Sequence, residues 1–189
     1  MSTKESLLNS AESAVRRRGY DGFSYADLAK EVGIRKASIH HHFPTKPDLA
    51  LALIERYSAH FLAQLGQIAE SERSGGGQLD AYIKTYREAL QGGEMVCLCV
   101  AFSAGRDSLS APVLAQLMKF HEQSLLWLKG VFVLGDQDGT IKGVDRPIAE
   151  AAACLAVVEG AQLMARASGT VELFDMAIAQ IQSRIRLRS

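Results

Sequence analysis

A short basic segment carries the side chains of this chain that are best suited to bind a polyanion. Between Gly33 and Lys46 it holds Arg35, Lys36 and three consecutive histidines, and it contains no acidic residue. Guanidinium and ammonium groups donate hydrogen bonds to guanine O6 and N7, while neighbouring cations and hydroxyls bind phosphate oxygens. The segment therefore indicates contact with double-stranded DNA.

Two short helices joined by a tight turn must position this segment. Ser24 and Asp27 form a capping box that predicts a helix over residues 25–32, and Gly33 suits its left-handed end. A second helix is predicted over residues 36–42, and such a pair is typical of a helix-turn-helix whose second helix enters the major groove. The expected DNA contacts lie on the outer side of this pair or bracket it: Ser24, Tyr25, Arg35, Lys36, Ala37, Ser38, His40, His41 and Lys46.

The histidine run does not predict a metal site. Consecutive helical residues point about 100° apart, so the imidazoles of His40, His41 and His42 cannot converge on one ion. The ligand spacings typical of zinc are also missing from the sequence. We expect neither a metal nor another cofactor.

Helical periodicity dominates the remaining sequence, and no alternating strand pattern interrupts it. The sequence predicts an all-α fold of about nine helices, with a DNA-binding domain over residues 1–46 and a ligand-binding and dimerisation domain over residues 47–189. The glycine-rich stretches 74–77 and 135–145 are predicted to be a flexible linker and a surface loop. The other helices are predicted over residues 4–18, 46–71, 78–91, 95–103, 111–133, 147–167 and 171–187.

The overall composition excludes several classes of protein. The 189 residues include 21 basic and 21 acidic side chains and three cysteines, which are too few for a secreted disulfide framework. No apolar run reaches the roughly 18 residues of a membrane span, and the amino terminus lacks a signal-peptide pattern. We expect a cytoplasmic protein with no membrane partner.

The basic segment and its supporting helices resemble the TetR family of bacterial transcriptional regulators. The resemblance runs over about residues 5–55 and rests on GFSYADLA at residues 22–29 and GIRKASIHHHFPTKPDL at residues 33–49. It implies a dimeric repressor that binds a palindromic operator and whose carboxy-terminal helices hold a small-molecule inducer. His40 departs from the family pattern, which usually has a tyrosine at this position.

A group of mainly aromatic side chains in the second part of the chain, several of which end in a polar group, predicts a small-molecule pocket. These residues are Tyr82, Tyr86, Phe102, Met118, His121 and Trp127. His121 lies on an apolar stripe, so it requires either a buried partner or a cavity.

The paired cysteines allow two interpretations. Cys97 and Cys99 lie in an apolar segment, where buried cysteine behaves as a small hydrophobe. A thiol near a helix start is also a candidate for reaction, because the helix dipole stabilises its thiolate. Cys97 therefore joins the predicted ligand-binding set, and an electrophile- or redox-sensing repressor of the same fold is the alternative function.

The last two predicted helices are apolar nearly all round, which requires burial on more than one side. We expect them to form a four-helix homodimer interface, although burial within one subunit is the alternative. The expected interface residues are Ala152, Ala153, Ala156, Gly160, Phe174, Ile178 and Ile181.

Two other functional classes compete with a regulator. No catalytic grouping or phosphate-binding glycine loop is evident, so we expect that the chain is not an enzyme. A helix-turn-helix that serves only protein contacts or DNA architecture would lack a ligand cavity and an inducer.

Overall fold

The structure is a computed structural model that describes residues 2–186. Within that range the chain forms nine α-helices, and an isolated bridge between Ile141 and Ile185 takes the place of a sheet. The predicted all-α fold is confirmed. The helices are α1 Thr3–Arg18, α2 Tyr25–Val32, α3 Lys36–His42, α4 Lys46–Ser71, α5 Gly75–Ala89, α6 Leu98–Ala104, α7 Ala111–Gln137, α8 Pro147–Ser168 and α9 Glu172–Gln182.

The chain folds into two compact units. The first comprises the chain up to Ala59 together with Leu98–Phe120, and the second comprises His60–Cys97 together with the chain from His121 onward. The first unit thus holds α1 to α3, part of α4, α6 and the start of α7. The division differs from the predicted boundary at residue 46, because α6 packs against α1.

Buried apolar side chains hold the first unit around its helix-turn-helix. Leu7 and Val15 of α1, Leu28 of α2 and Ile39 of α3 are fully buried. Each of these helices therefore turns one apolar stripe inward, which leaves its polar stripe on the surface.

The glycine stretch after α4 is not the flexible linker that its composition predicts. Gly75, Gly76 and Gly77 are buried in the first turn of α5, where the Ser74 hydroxyl accepts a hydrogen bond from the Gly77 amide. A Cβ on Gly75 would collide with the backbone of Gly135. Glycine is therefore required here for close packing of two backbones.

The predicted surface loop over residues 135–145 is wrong in its first part. Helix α7 continues to Gln137, and Gly135, Thr140 and Ile141 are buried. The Thr140 hydroxyl accepts a 2.8 Å hydrogen bond from the Gly76 amide, so this segment covers the start of α5.

Helices α8 and α9 pack against each other in the second unit. Within the part of the chain that the structure describes, α8 is the one helix with the length and hydropathy of a membrane span; 39% of its apolar window is buried. A partly buried apolar helix also fits an interface between soluble subunits, since large exposed apolar patches mark interaction sites.

Candidate nucleic-acid interface and helical core site

Local contacts fix the start and the end of α2, the helix that leads into the turn before α3. The Ser24 amide donates to the Asp27 carboxylate at 2.7 Å, and the Asp27 amide donates back to the Ser24 hydroxyl at 3.4 Å. The hydroxyl and amide of Ser24 also lower the pKa of the Asp27 carboxyl. Gly33 ends the helix in the left-handed region with φ of 74°, and α3 begins three residues later.

The outer face of α3 presents the side chains expected to read DNA. Arg35, Lys36, Ala37, His40 and His41 are all exposed. Ser38 is half-buried, and Ile39 on the opposite face packs into the core. The exposed face thus offers hydrogen-bond donors with no carboxylate among them.

The amino-terminal end of α1 lies beside this face. Thr3 lines a surface depression together with Arg35, Ser38 and His41 of the helix-turn-helix. Sequence reasoning missed Thr3, because a separation of 32 or more residues along the chain gives no local signal that α1 starts next to α3.

Tyr25 requires a correction, since it was expected to contact DNA. The side chain is buried, and its hydroxyl lies 3.0 Å from the Phe43 carbonyl and 2.6 Å from the Thr45 carbonyl, to which it donates. Burial raises the pKa of this phenol to about 12, so it keeps its proton. Tyr25 therefore joins the start of α2 to the end of α3.

Lys46 is already engaged within the first unit. Its ammonium donates a 2.7 Å hydrogen bond to the Phe23 carbonyl and lies 4.3 Å and 4.6 Å from the ring centres of Phe23 and Tyr20. Partial burial lowers the pKa of this amine. A phosphate contact by Lys46 stays a prediction, and it would compete with these internal contacts.

His40 packs along the helix-turn-helix. Its ring lies 5.0 Å from the Tyr25 ring, and its Nδ1 lies 3.0 Å from the Pro44 carbonyl oxygen. This bond orients the imidazole, while the residue as a whole remains exposed.

An ionic brace ties α1 to α4 in the first unit. The Arg56 guanidinium donates to Asn9 and to Glu12, each at 2.8 Å, and Glu12 also lies 3.6 Å from Arg16. The brace holds the beginning of α4 against the helix that supports the recognition pair.

A second cluster of functional side chains forms inside the second unit. The rings of Tyr82 and Tyr86 on α5 lie 5.0 Å apart, Phe61 of α4 packs edge-on to both, and Trp127 of α7 stacks on Tyr82 at 5.6 Å. Burial raises the pKa of both phenols well above the ordinary value. The predicted aromatic pocket residues of this unit are therefore neighbours.

His121 finds the polar partner that its position required. Its Nε2 lies 3.2 Å from the Glu159 carboxylate of α8. The interaction with Glu159 raises the pKa of His121 against the opposing effect of burial. Sequence reasoning missed Glu159, because nothing local indicates which residue of α8 faces α7.

Two residues expected in the pocket belong to the first unit. Phe102 is fully buried, with its ring 6.0 Å from that of Tyr20. Met118 is 72% exposed, so the expectation that it forms part of a pocket wall is wrong. Its neighbour Leu117 is buried instead, and the residue types alone do not show which of the two faces inward.

Cys97 lies at the junction before α6 and is buried, as are Cys99 and Cys154. Its amide donates a 2.7 Å hydrogen bond to the Gln162 side chain, which in turn donates to the Tyr86 carbonyl at 2.6 Å. Gln162 thus links three segments of the second unit, and its role was not predicted.

The expected dimer residues divide into two groups. Ala152, Ala153 and Ala156 are exposed, while Gly160 and Ile181 are half-buried. Phe174 and Ile178 are buried within the chain itself, so the expectation that they contact a partner is wrong. They lie on the buried face of α9. Large exposed apolar side chains that were not predicted extend the surface: Ile148, Leu163, Met164 and Met176.

Comparison with known proteins agrees with this geometry. The family model described as bacterial regulatory proteins, tetR family, matches residues 7–53, which contain the helix-turn-helix. The HTH-type transcriptional repressor NemR of Escherichia coli (strain K12) is 27% identical over 188 residues, which cover 97% of this chain and 94% of NemR.

Solved structures extend the similarity to the entire fold. A TetR-family regulator from Agrobacterium tumefaciens superposes with a TM-score of 0.91 and 30% identity over 97% of each chain. The reduced form of E. coli NemR superposes with a TM-score of 0.83 and 25% identity over 98% of each chain. With that likeness along nearly its full length, the chain belongs to the TetR family of DNA-binding transcriptional regulators.

Proposed function

We propose that this protein is a repressor that binds a palindromic operator as a homodimer in the bacterial cytoplasm and leaves it when a small molecule binds to the second unit. The exposed face of α3, with Arg35, Lys36 and His41 and no carboxylate, is the observation that carries the DNA-binding role. The similarity to NemR, a transcriptional repressor, supports repression rather than activation of transcription.

The exposed apolar side of α8 and α9 supports the homodimer. The alanines Ala152, Ala153 and Ala156 of α8 are exposed, as are Leu163 and Met164, and Met176 of α9 is 71% exposed. Small residues allow two helices to approach closely, and a two-fold axis pairs the same patch on both subunits. Such a dimer presents two copies of α3 to major grooves about 34–36 Å apart.

Release by a ligand requires that the ligand prefer one arrangement of the dimer. Binding beside Tyr82 and Tyr86 would displace α4, whose residues contribute to both units, and would change the separation of the two α3 helices. A coupling of about 1–3 kcal/mol is typical for such effects.

The decisive experiment selects sequences bound by the purified dimer from random duplex DNA. We expect an inverted repeat, together with an affinity that falls steeply with salt because phosphate contacts release counterions. The selected duplex is then challenged with a panel of small molecules. A folded protein that binds no duplex would contradict the proposal.

A thiol switch is the second candidate. Its support is the position of Cys97 at the junction held by Gln162, together with the likeness to a NemR structure of a reduced form. All three cysteines are buried, so a reagent must reach them through a transient opening. Operator release by an electrophile in the wild type but not in Cys97→Ser would support this candidate, and unchanged release in that variant would exclude it.

A further inference from the structure

The second unit contains buried hydroxyl groups whose hydrogen-bonding capacity is unused. The phenol oxygens of Tyr82 and Tyr86 and the hydroxyl of Ser124 are fully buried, and none has a hydrogen-bond partner of good geometry among residues 2–186. If one phenol donates its hydrogen to the oxygen of the other, the second phenol still has a hydrogen that is not donated to any acceptor. Buried polar groups in this condition cost free energy, so they point to an absent binding partner.

Tyr82, Tyr86 and Trp127 contact one another in the second unit, and Glu159 is close enough to act on both phenols; Ser124 is placed beside them by its position one turn before Trp127 on α7. Tyr82 and Tyr86 are one turn apart on α5, and Ser124 lies one turn from His121 on α7. Trp127 on the same helix stacks on Tyr82 with an angle of 25° between the rings. We define these residues, with Glu159, as the hydroxyl cluster.

The charges of the hydroxyl cluster disfavour an anionic ligand. No lysine or arginine is buried in the described part of the chain, and the carboxylate of Glu159 acts on both phenols. His121 lies 3.2 Å from that carboxylate and neutralises it when the imidazole is protonated, so the cluster does not require a cationic ligand. The groups that remain are neutral hydroxyls, which can donate to an acceptor oxygen.

The aromatic surfaces restrict the shape of the ligand. Trp127 and Tyr82 lie nearly parallel, and Phe61 meets both tyrosines edge-on. Trp127 and Tyr82 already contact each other, so a flat ring would pack against the exposed side or the edge of this aromatic group, in the stacked or edge-on arrangements that aromatic pairs favour.

We propose that the hydroxyl cluster binds a small, planar, uncharged molecule with a carbonyl oxygen, which accepts hydrogen bonds from the hydroxyls of Tyr82 and Tyr86. The assignment rests on the proposed ligand response and names the chemical class of its ligand. Binding is non-covalent, and Ser124 supplies a further donor for a second polar atom.

The test uses the intact dimer and matched probes. The ketone 1-indanone is compared with indane, which has the same fused rings without the oxygen, and with benzoate and benzylammonium as charged probes. Calorimetry measures the affinity of each probe. The fluorescence of Trp127, the single tryptophan of the chain, reports whether a probe binds at the hydroxyl cluster.

We expect 1-indanone to bind about tenfold or more tightly than indane and more tightly than either charged probe, because each hydrogen bond is worth about tenfold. Tyr82→Phe and Tyr86→Phe keep the rings and should each weaken 1-indanone about tenfold while leaving indane unchanged. Thr85→Val is the control, since this α5 hydroxyl already donates to the Ala81 carbonyl.

Several outcomes would overturn the proposal: no binding of 1-indanone at millimolar concentration, equal affinity for indane, preference for benzoate, or undiminished ketone affinity in both tyrosine variants. The last result would mean that the ketone binds without the hydroxyls of Tyr82 and Tyr86. If Tyr82→Phe does not fold, the proposal is still tested by Tyr86→Phe and by the affinities of the wild-type protein for 1-indanone and indane.

Measuring operator binding of the same samples distinguishes failure of the proposed ligand class from failure of the proposed repressor function. Loss of ketone preference with intact operator binding removes only the ligand class. Absence of operator binding in a folded protein contradicts the proposed function. The ketone measurement then still tests whether the hydroxyl cluster binds an uncharged carbonyl compound.

Discussion

The side-chain oxygen of Gln162 accepts a hydrogen bond from the Cys97 amide at 2.7 Å. The side-chain nitrogen of Gln162 donates to the Tyr86 carbonyl at 2.6 Å, and the Gln162 side chain is fully buried. One residue of α8 therefore binds two backbone groups, one at the end of α5 and one just before α6.

Replacing Gln162 by leucine should destabilise the protein. The variant removes the buried hydrogen bonds of Gln162 to the Cys97 amide and to the Tyr86 carbonyl, each at a cost of about 1–3 kcal/mol. Urea unfolding measures the loss. Gln180→Leu on the exposed side of α9 is the control and should stay within about 0.5 kcal/mol of wild type; equal stability of the two variants would contradict the role of Gln162.

Arg35 and Lys36 should contribute differently to operator binding. Arg35→Ala should cost about 1–3 kcal/mol and relax the preference at one base pair if Arg35 reads guanine. Lys36→Ala should lower the salt dependence by about one ion if it contacts phosphate. Titrations of fluorescent operator at several salt concentrations distinguish these effects, with Lys129→Ala on the exposed side of α7 as the unaffected control.

The His121–Glu159 pair should make stability depend on pH. Because the folded protein raises the pKa of His121, the stabilisation is complete below the unfolded value and is lost as pH rises through the folded pKa. The difference in unfolding free energy between wild type and Glu159→Gln should therefore be larger at about pH 6 than at about pH 8.

Nuclear magnetic resonance of the His121 ring tests the same pair directly. Its pKa should fall in Glu159→Gln and stay constant in Glu122→Gln, which removes an exposed carboxylate next to His121 in sequence. An unchanged His121 pKa in Glu159→Gln would show that the pair does not form in solution.

Two glycine substitutions should have opposite effects. Gly75→Ala forces a methyl group against the Gly135 backbone and should destabilise the protein by about 1–3 kcal/mol. Gly66→Ala in exposed α4 meets no atom within 4 Å and should stabilise it by about 0.5–1 kcal/mol. Thermal unfolding checks the signs, and a tolerated alanine at position 75 would show that the close approach is absent.

The exposed face of α8 should control the dimer. Ala156→Arg places a charge among apolar side chains and should shift the protein to monomer in sedimentation, whereas Ala69→Arg on exposed α4 should leave the dimer intact. Phe174→Ala should instead lower stability by about 3–5 kcal/mol, because this ring is buried within one subunit. A dimer that survives Ala156→Arg would place the interface elsewhere.

Local signals account for the elements that the sequence predicts well. The bounds of α2, α3 and α4 agree with prediction to the residue, because Ser24, Gly33 and Pro44 mark their ends through local backbone chemistry. The solvent-facing positions of α3 follow from the same helical period.

Contacts between distant segments account for the rest. The glycines at 75–77 predict flexibility unless the approach of Gly135 is known, and Gln162 has partners 65 and 76 residues away. An apolar period alone also cannot tell which side of α9 meets its own subunit and which meets another, which is why Phe174 and Ile178 were assigned to the wrong side.

The hydrogen bonds from the Tyr25 hydroxyl to the Phe43 and Thr45 carbonyls connect α2 to the end of α3 within the first unit. Because these bonds hold α2 and α3 in one arrangement, we expect an effector of the proposed repressor to change how much operator is bound and to leave the preferred bases unchanged. Under the proposed function, substitutions in the second unit would then change the inducing molecule while the operator sequence stays the same.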